Sequence, residues 1–226
     1  MHTGMRKLPS LPLVLLTLAC STGQQFAHTP TAAAQGAPVI DTLAPSYVPA
    51  GFGSLKQDDI SLKVTPSTGL QVNAVPLEEN LIRLLSPDSY RALSELKKSQ
   101  EGNLKVIRER YRLPSYSIWY VKFFATEQGE TRFSPQEFII NNTGRDFRPL
   151  EMIPLSPGFG EYRLKQREVQ SALFVFDGQI DINQPTKATM EGTQSLTDWG
   201  RVLQIIERER SMVKSRASAA PKKPSL

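Results

Sequence analysis

The sequence predicts a mainly β domain, a β-sandwich, with two added helices at about residues 86–100 and 195–213. Several short segments alternate apolar and polar residues, which is the period-two pattern of half-buried strands. Clusters of Pro, Gly and Asn separate these segments, and two other segments begin with helix-capping residues. Hydrophobic residues make up 39% and charged residues 22% of the 226 residues, a balance typical of a globular chain.

Five segments alternate as strands do, and they are residues 60–64, 70–74, 118–125, 138–140 and 172–176. Segment 118–125 has one wholly apolar face and one mixed face, so we expect it to be a central strand. The apolar face holds Trp119, Val121, Phe123 and Ala125, and the mixed face holds Ile118, Tyr120, Lys122 and Phe124. The dipeptide Asp177-Gly178 predicts a tight hairpin, with Ile180 and Ile182 on the returning strand. The pattern loosely resembles immunoglobulin-like sandwiches, without the cysteine–tryptophan–cysteine spacing of antibody domains.

Each of the two predicted helices has its own start signal. Ser86 fits the N-cap position of the first helix, and we expect Gly102 to end it. The second helix starts near Ser195 and Asp198, and its apolar face consists of Trp199, Val202, Leu203 and Ile206. Segment 104–113 fits a strand or a helix, and the sequence alone does not decide between them.

The first twenty residues predict export. Arg6 and Lys7 precede an apolar run over residues 8–18, which is too short to cross a membrane as a helix. A basic start, a short apolar run and small residues form the layout of a secretory signal peptide. The predicted organisation is a signal peptide over 1–19, a linker rich in Ala, Pro and Gly over 20–55, a globular domain over 56–213 and a basic disordered tail over 214–226. Within the linker, Val39-Ile40 and Tyr47-Val48 are apolar enough to pack on the domain.

The residues Leu16, Thr17, Leu18, Ala19 and Cys20 resemble the lipobox of bacterial lipoproteins. In that family the cysteine is lipidated and becomes the first residue after cleavage, so the resemblance implies a lipid anchor at Cys20. The family usually has Leu where Thr17 stands and a small residue where Leu18 stands. In proteobacterial members a non-acidic residue after the cysteine, here Ser21, goes with sorting to the outer membrane, facing the periplasm. The alternative is ordinary signal-peptide cleavage, which leaves a soluble secreted or periplasmic protein.

Charge argues against nucleic acid as a partner. The net charge is +5, but residues 208–226 alone carry six basic side chains against one acidic side chain, a surplus of five. The predicted domain is therefore close to neutral, and no nucleic-acid-binding face is expected. The basic tail is expected to aid solubility or to contact anionic lipid headgroups.

The residue types in the predicted domain exclude several kinds of chemistry. The only histidines are His2 and His28 and the only cysteine is Cys20, and all three precede the domain. Ser-His-Asp and Cys-His catalysis and zinc sites are thereby excluded, and we expect no cofactor and no metal. Two kinds of motif remain. Ser94–Lys97 and Ser211–Lys214 have the Ser-x-x-Lys spacing of some nucleophilic serines, which a solvated helix face explains more simply. Asp177, Asp181 and Asn183 offer oxygen ligands for calcium, which a turn explains more simply.

Two runs of alternating basic residues are the candidate binding surface, and they are Arg108, Arg110 and Arg112, and Arg163, Lys165 and Arg167. If both runs are strands, each turns three cations to one face, and adjacent placement would make a basic ribbon. Such a ribbon could bind phosphates of lipid headgroups or carboxylates of cell-wall polymers. The alternative is a solvated sheet face whose charge is balanced by Glu109, Glu161 and Glu168.

These observations predict a membrane-anchored periplasmic lipoprotein that acts as a non-catalytic binding, accessory or scaffold module of the bacterial envelope. Its expected partners are the lipid bilayer, through acylated Cys20, and an anionic envelope polymer or another envelope protein. The alternative is a small hydrolase that acts on envelope polymers with carboxylates. A deep cleft with two close carboxylates would favour the hydrolase, and a flat domain without a cleft would favour binding.

Overall fold

The computed structural model describes residues 47–67 and 69–220. The predicted signal peptide, Cys20 and Val39-Ile40 lie outside the described residues. The described part is mainly β, as predicted, and its strands pair with one another in the antiparallel direction. None of the described helices combines the length and the hydropathy that crossing a membrane requires.

Eleven strands and four α-helices form the regular structure of the described residues. The strands are β1 (Leu62–Ser67), β2 (Leu70–Pro76), β3 (Tyr116–Ala125), β4 (Glu130–Arg132), β5 (Ile139–Asn142), β6 (Arg145–Phe147), β7 (Glu151–Pro154), β8 (Arg163–Lys165), β9 (Val169–Asp177), β10 (Thr186–Met190) and β11 (Thr193–Gln194). The helices are α1 (Glu79–Ile82), α2 (Pro87–Ser99), α3 (Glu101–Arg110) and α4 (Trp199–Ala219).

The strands form three sheets. The largest has the order β1-β2-β3-β9-β7, the second has the order β11-β10-β5-β6, and the third pairs β4 with β8. β3 is the central strand of the largest sheet, as predicted from its two faces. Its apolar face is fully buried, and the residues on it are Trp119, Val121, Phe123 and Ala125.

Aromatic rings fill the core above this face of β3. The Phe123 ring stacks on the Phe133 ring with a centroid distance of 4.5 Å. The ring of Phe174, on the neighbouring strand β9, meets the ring of Phe138 edge-on at 5.5 Å. Ring pairs of this kind stabilise a fold by roughly 1 kcal/mol beyond the free energy gained by burying their surface. The relative orientation of the rings therefore stabilises the core in addition to hydrophobic burial.

The first predicted helix is confirmed as α2, which ends close to the predicted residue 100, but Gly102 is not the residue that ends it. Gly102 lies inside α3, and the break between α2 and α3 falls at Gln100, whose φ is −101° and whose ψ is 5°. Segment 104–113, which fitted two alternatives, is helical up to the end of α3. Its Leu104 and Ile107 are buried, which is the spacing of one helix face.

The structure therefore has more helix than the two predicted helices, because α1 was not predicted and the segment of α3 fitted a strand as well as a helix. The second predicted helix is present as α4. It begins after Asp198, whose carboxylate accepts hydrogen bonds from the backbone N–H groups of Gly200 and Arg201. It continues past residue 213, the predicted end of the domain, and Val213 is fully buried.

The predicted hairpin at Asp177-Gly178 is wrong. β9 already has β3 on one edge and β7 on the other, so a returning strand finds no free edge. Ile180 and Ile182 lie in a loop with their side chains turned inward, and the next strand, β10, pairs with β5. Position 178 requires glycine because its backbone packs closely against Ser115, and a Cβ at this position would lie 2.1 Å from the Oγ of Ser115.

Residues 47–55, at the end of the predicted linker, pack on the domain. Val48 is fully buried, as one reading of the linker allowed, and Leu55 forms a parallel bridge with Leu85. The guanidinium carbon of Arg83 lies 5.2 Å from the centroid of the Tyr47 ring. The folded part of the chain therefore begins before residue 56.

A buried carboxylate ties this segment to α4. Glu209 is 1% exposed, and its Oε1 accepts hydrogen bonds from the backbone N (2.8 Å) and the Oγ (2.9 Å) of Ser54. The same oxygen accepts from Nη1 of Arg216 at 2.8 Å, and that nitrogen also donates to the carbonyl of Phe52 at 2.7 Å. Burial alone would raise the pKa of the Glu209 carboxyl, but the hydrogen bonds from Arg216 and Ser54 outweigh burial and lower it.

We expect the change Arg216→Ala to lower the free energy of unfolding by about 2 kcal/mol, because it leaves the Glu209 carboxylate buried without its cation. Arg208→Ala, at an exposed position on the same helix, is the control and should change it by less than about 0.5 kcal/mol. Urea denaturation at neutral pH measures both values. Equal effects of the two variants would contradict the role of Glu209.

The same carboxylate predicts a pH dependence. Because its pKa is lowered in the folded state, its contribution to stability is complete above the pKa of an unfolded glutamate, about 4.3. The contribution disappears as the pH falls through the lower folded-state pKa. The difference in stability between the wild type and Glu209→Gln should therefore shrink between neutral pH and pH of about 3, as urea denaturation at both pH values would show.

Candidate functional site

A cavity of about 650 Å³ opens at the end of the largest sheet where β2 and β9 finish and β3 begins. Its walls come from five places in the chain: residues 77–79 after β2, residues 114–118 at the start of β3, the loop 178–183 after β9, and one residue from each of α2 and α3. Those two helix side chains are Lys97 and Arg108. The cavity therefore brings together residues that are more than one hundred positions apart.

The loop 178–183 is held in place by buried side chains from other elements. Asn142, at the end of β5 and 1% exposed, donates from Nδ2 to the carbonyl of Asp181 (2.9 Å) and accepts at Oδ1 from its N–H (3.0 Å). The indole Nε1 of Trp199, at the start of α4, donates to the carbonyl of Ile182 at 2.9 Å. Since Gly178 also packs tightly against Ser115, the loop is anchored at both ends and in the middle. A loop fixed in this way presents its polar groups in one arrangement before any ligand arrives.

The two cations of the cavity bond to backbone carbonyls instead of carboxylates. Lys97 Nζ donates to the carbonyl of Leu77 at 3.3 Å, and Arg108 Nε donates to the carbonyl of Leu113 at 3.3 Å. Leu77 is itself fixed, because its N–H donates to the carbonyl of Ile118 at 2.8 Å. Both positive charges are therefore oriented without being neutralised, and they remain available to an anionic group of a ligand.

The three carboxylates of the cavity differ in their partners. Glu79 Oε1 accepts from Nε of Arg83 at 2.8 Å and from the hydroxyl of Tyr90 at 3.0 Å. Asp181 Oδ1 accepts from the backbone N (2.9 Å) and Nδ2 (3.1 Å) of Asn183. The Glu78 carboxyl forms no hydrogen bond or ion pair with any residue that the structure describes.

The electrostatics of Glu78 set it apart. The residue is exposed, but the wall around the carboxyl removes part of its water, and this desolvation raises the pKa of Glu78 above the ordinary value for glutamate. The nearby Asp181 raises the pKa further, whereas Arg210 and Lys97 oppose the shift. Glu78 therefore keeps its proton to a higher pH than an ordinary glutamate, and it can donate a hydrogen bond as well as accept one.

The first predicted basic run does not form a strand. Arg108 and Arg110 lie in α3, two residues apart, so they leave the helix axis on roughly opposite sides. Arg108 lines the cavity, whereas Arg110 Nη1 lies 3.1 Å from Oε2 of Glu151. Arg112 follows the helix with a φ of 52°. Of this run, the structure therefore places only Arg108 in the cavity.

The second basic run is partly a strand. Arg163 and Lys165 are the ends of β8, and Arg167 lies in the following turn with a φ of 59°. β8 pairs with β4 and not with α3, so the two runs do not form one ribbon. Arg163 is paired with Glu130 at 3.7 Å and with Glu161 at 3.3 Å, which matches the alternative of a balanced, solvated face.

The Ser-x-x-Lys spacings and the oxygen ligands also have a place. In α2, Lys97 bonds to the Leu77 carbonyl described above, and in α4 the hydroxyl of Ser211 donates to the carbonyl of Glu207 at 3.2 Å. Asp177 Oδ1 accepts from the N–H of Gln179, as in a turn, and lies outside the cavity lining, whereas Asp181 and Asn183 line it. Among the described residues, no group of three or more acidic, histidine or cysteine side chains is placed to hold a metal ion.

Sequence reasoning missed Glu78. The available signal was its position four residues after the predicted strand 70–74, next to a second glutamate, in the stretch before the first predicted helix. Polar residues at the ends of strands often form binding sites, because the scaffold fixes them and the loops leave them accessible. This signal alone does not distinguish Glu78 from the many other exposed glutamates.

The chain was compared with models of protein families, with curated proteins and with solved structures, and none of the three comparisons found a match.

Proposed function

We propose that this chain is a lipid-anchored protein of the bacterial cell envelope. Its domain binds an envelope component in the cavity and does not catalyse a reaction of that component. The anchor is Cys20, and the expected location is the outer membrane, facing the periplasm. The observation that carries the binding role is the loop 178–183, which Asn142 and Trp199 hold in a single arrangement at the cavity wall. A wall fixed in advance lowers the entropic cost of binding.

The lining supports an anionic polymer with hydroxyl or amide groups as the ligand. Lys97 and Arg108 supply positive charge, and Glu78, Asp181 and Asn183 supply acceptors and donors for neutral polar groups. A ligand that carries carboxylates and hydroxyls together would use both sets. Cell-wall polymers have this chemistry.

An immunoglobulin-like sandwich is part of the same proposal, since that architecture presents loops at the ends of packed sheets. It is supported by the contact of β1, in the largest sheet, with β10 and β11, in the second. It is also supported by the ring of Phe138, just before β5, which packs against Phe174 of β9.

Binding is favoured over hydrolysis by the state of the carboxylates. A carboxylate hydrolase needs two carboxyl groups on either side of the bond that it cleaves. Glu79 already accepts from Arg83 and Tyr90, and Asp181 already accepts from Asn183. Only Glu78 lacks such partners among the described residues of the cavity.

A small carboxylate-dependent hydrolase is the second candidate, and the raised pKa of Glu78 beside Asp181 favours it. In that role Glu78 would donate a proton to the leaving oxygen. Such an activity would fall as the pH rises through the raised pKa of Glu78, because the acid form is then lost.

The anchor predicts the mass of the mature protein. We expect protein purified from the membrane fraction to begin at Cys20 and to carry the added mass of acyl chains, which hold it to the bilayer by about 0.8 kcal/mol for each buried methylene. Intact-mass spectrometry measures this. Cys20→Ser is the control and should move the protein to the soluble fraction. An unmodified Cys20 in the membrane-derived protein would contradict the anchor.

Arg108 and Arg110 form a matched pair for testing the cavity, since they lie on the same helix but on different sides. We expect Arg108→Ala to weaken binding of soluble anionic cell-wall fragments about tenfold, because a charge-assisted hydrogen bond is lost. Arg110→Ala should leave the affinity within about twofold. Titration calorimetry at low salt measures both, and equal losses in the two variants would contradict the assignment of the cavity.

The wild type is expected to release no reducing ends from cell-wall polymers at any pH between about 4 and 8, a range that spans ordinary carboxyl titration. A colorimetric assay of reducing sugars measures this. Release that is lost in Glu78→Gln and retained in Glu109→Gln would replace the binding proposal with the hydrolase.

A further inference from the structure

A second surface lies on the face of the largest sheet that points away from the buried rings of β3. The strand register places four polar residues in one row across β1, β2, β3 and β9: Lys63 opposite Asn73, Asn73 opposite Lys122, and Lys122 opposite Ser171. Neighbouring strands are about 4.8 Å apart, so the row runs cation, amide, cation and hydroxyl over about 14 Å.

Aromatic side chains border this row on both sides. Tyr120 and Phe124 lie two residues before and two residues after Lys122 on β3, so they share its face of the sheet. Val169, opposite Phe124 on β9, is 49% exposed. We call the surface formed by Asn73, Tyr120, Lys122, Phe124 and Ser171 the sheet strip. A depression of about 220 Å³ overlaps it, lined by Asn73, Lys122 and Phe124 of the strip together with Gln71 and Val169.

The sheet strip carries positive charge that no neighbour cancels. Lys122 Nζ lies 5.7 Å from the centroid of the Tyr120 ring, and no carboxylate among the described residues forms an ion pair with it. At the edge of the sheet, Lys63 lies 3.7 Å from Asp58, but both side chains are well exposed, so this pair screens little. An anionic group over the row would therefore meet a cation without displacing a partner.

The amide between the two cations is also unused. The Asn73 side chain makes no hydrogen bond with any described residue, and its Oδ1 is closed to solvent. A buried acceptor without a donor costs free energy, so a rotation that brings it to the surface loses no bond. A ligand hydroxyl above the row would give this amide its first partner.

The size of the sheet strip decides between classes of partner. It extends about 14 Å across the strands and about 14 Å along β3, an area of about 200 Å². A stable protein–protein interface buries about 800 Å² on each partner, four times more. A surface this small, with two aromatic rings and a central polar row, matches a few linked sugar rings instead.

We propose that the sheet strip binds an acidic polysaccharide, a glycan chain whose sugars carry carboxylates. Tyr120 and Phe124 would cover the apolar C–H faces of the sugars, Asn73 and Ser171 would bond to hydroxyls, and Lys122 would pair with a carboxylate. The inference goes beyond the proposed function, since it needs neither the lipid anchor nor any residue of the cavity.

The test uses the purified full chain and polygalacturonate as the probe, with neutral dextran as the control polymer. We expect polygalacturonate to bind, its affinity to fall as salt rises, and dextran to bind at least tenfold more weakly. Lys122→Gln should weaken polygalacturonate binding at least fivefold, because the central cation is lost. The control is Lys105→Gln, at an exposed position in α3, which should stay within twofold of the wild type.

Asn73→Asp is a second variant that keeps the shape of the side chain. It places a carboxylate between Lys63 and Lys122, so it should abolish polygalacturonate binding while thermal melting shows an intact fold. Because the cavity is itself proposed to bind anionic polymers, the same variants are also measured in the Arg108→Ala background, in which the further loss caused by Lys122→Gln reports on the sheet strip alone. Equal affinities for Lys122→Gln and Lys105→Gln would overturn the proposal. Loss of binding to phosphatidylglycerol vesicles in Lys122→Gln, with polygalacturonate binding unchanged, would assign the sheet strip to a membrane surface instead and would overturn it too.

Discussion

The alternation of side chains along β3 is the constraint on which the rest of the structure depends. β3 has a strand on each edge, so its side chains have only two directions to take. One direction is filled by Trp119, Val121, Phe123 and Ala125, which close the core. The opposite direction carries the mixed set, of which Ile118 is buried and Tyr120, Lys122 and Phe124 are half-buried. The start of the same strand forms one wall of the cavity, so one strand supports the core and both candidate binding surfaces.

The second sheet contributes to the cavity through a single buried amide. Asn142 ends β5, and its side chain uses both its donor and its acceptor on the backbone of Asp181. It also donates to Oγ1 of Thr186 at 2.8 Å, at the start of β10. A buried amide with these partners is stable only in one orientation, and it transmits that orientation to the loop. The loop has no strand pairing of its own, since both edges of β9 are occupied, so its shape depends on these side-chain bonds.

The elements whose sequence pattern is local could be predicted, whereas the features that depend on residues far apart in the chain could not. The long strands show period-two alternation, and α2 follows a recognisable start, so both were predictable. β4, β6 and β8 have three residues each, too few for a period to show. The charge of Arg163 is paired with Glu130, from a different strand, which no reading of residues 163–167 alone reveals. The cavity is harder still, because its walls come from parts of the chain that meet only after the sheet has formed.

Pairing of charges, more than net charge, decides where this domain can meet an anionic ligand. Several arginines already form an ion pair with a carboxylate. These pairs are Arg83 with Glu79, Arg110 with Glu151, Arg163 with Glu161 and Arg216 with Glu209. Lys97 and Arg108 bond instead to carbonyls, and Lys122 lies beside a tyrosine ring. A near-neutral domain can therefore attract anions at a few chosen points, because the repulsion from its carboxylates is cancelled locally by the paired arginines. Of the two basic runs in the sequence, Arg110 and Arg163 form ion pairs with carboxylates, whereas Arg108 is among the cations that bond to a carbonyl and remain available to an anion.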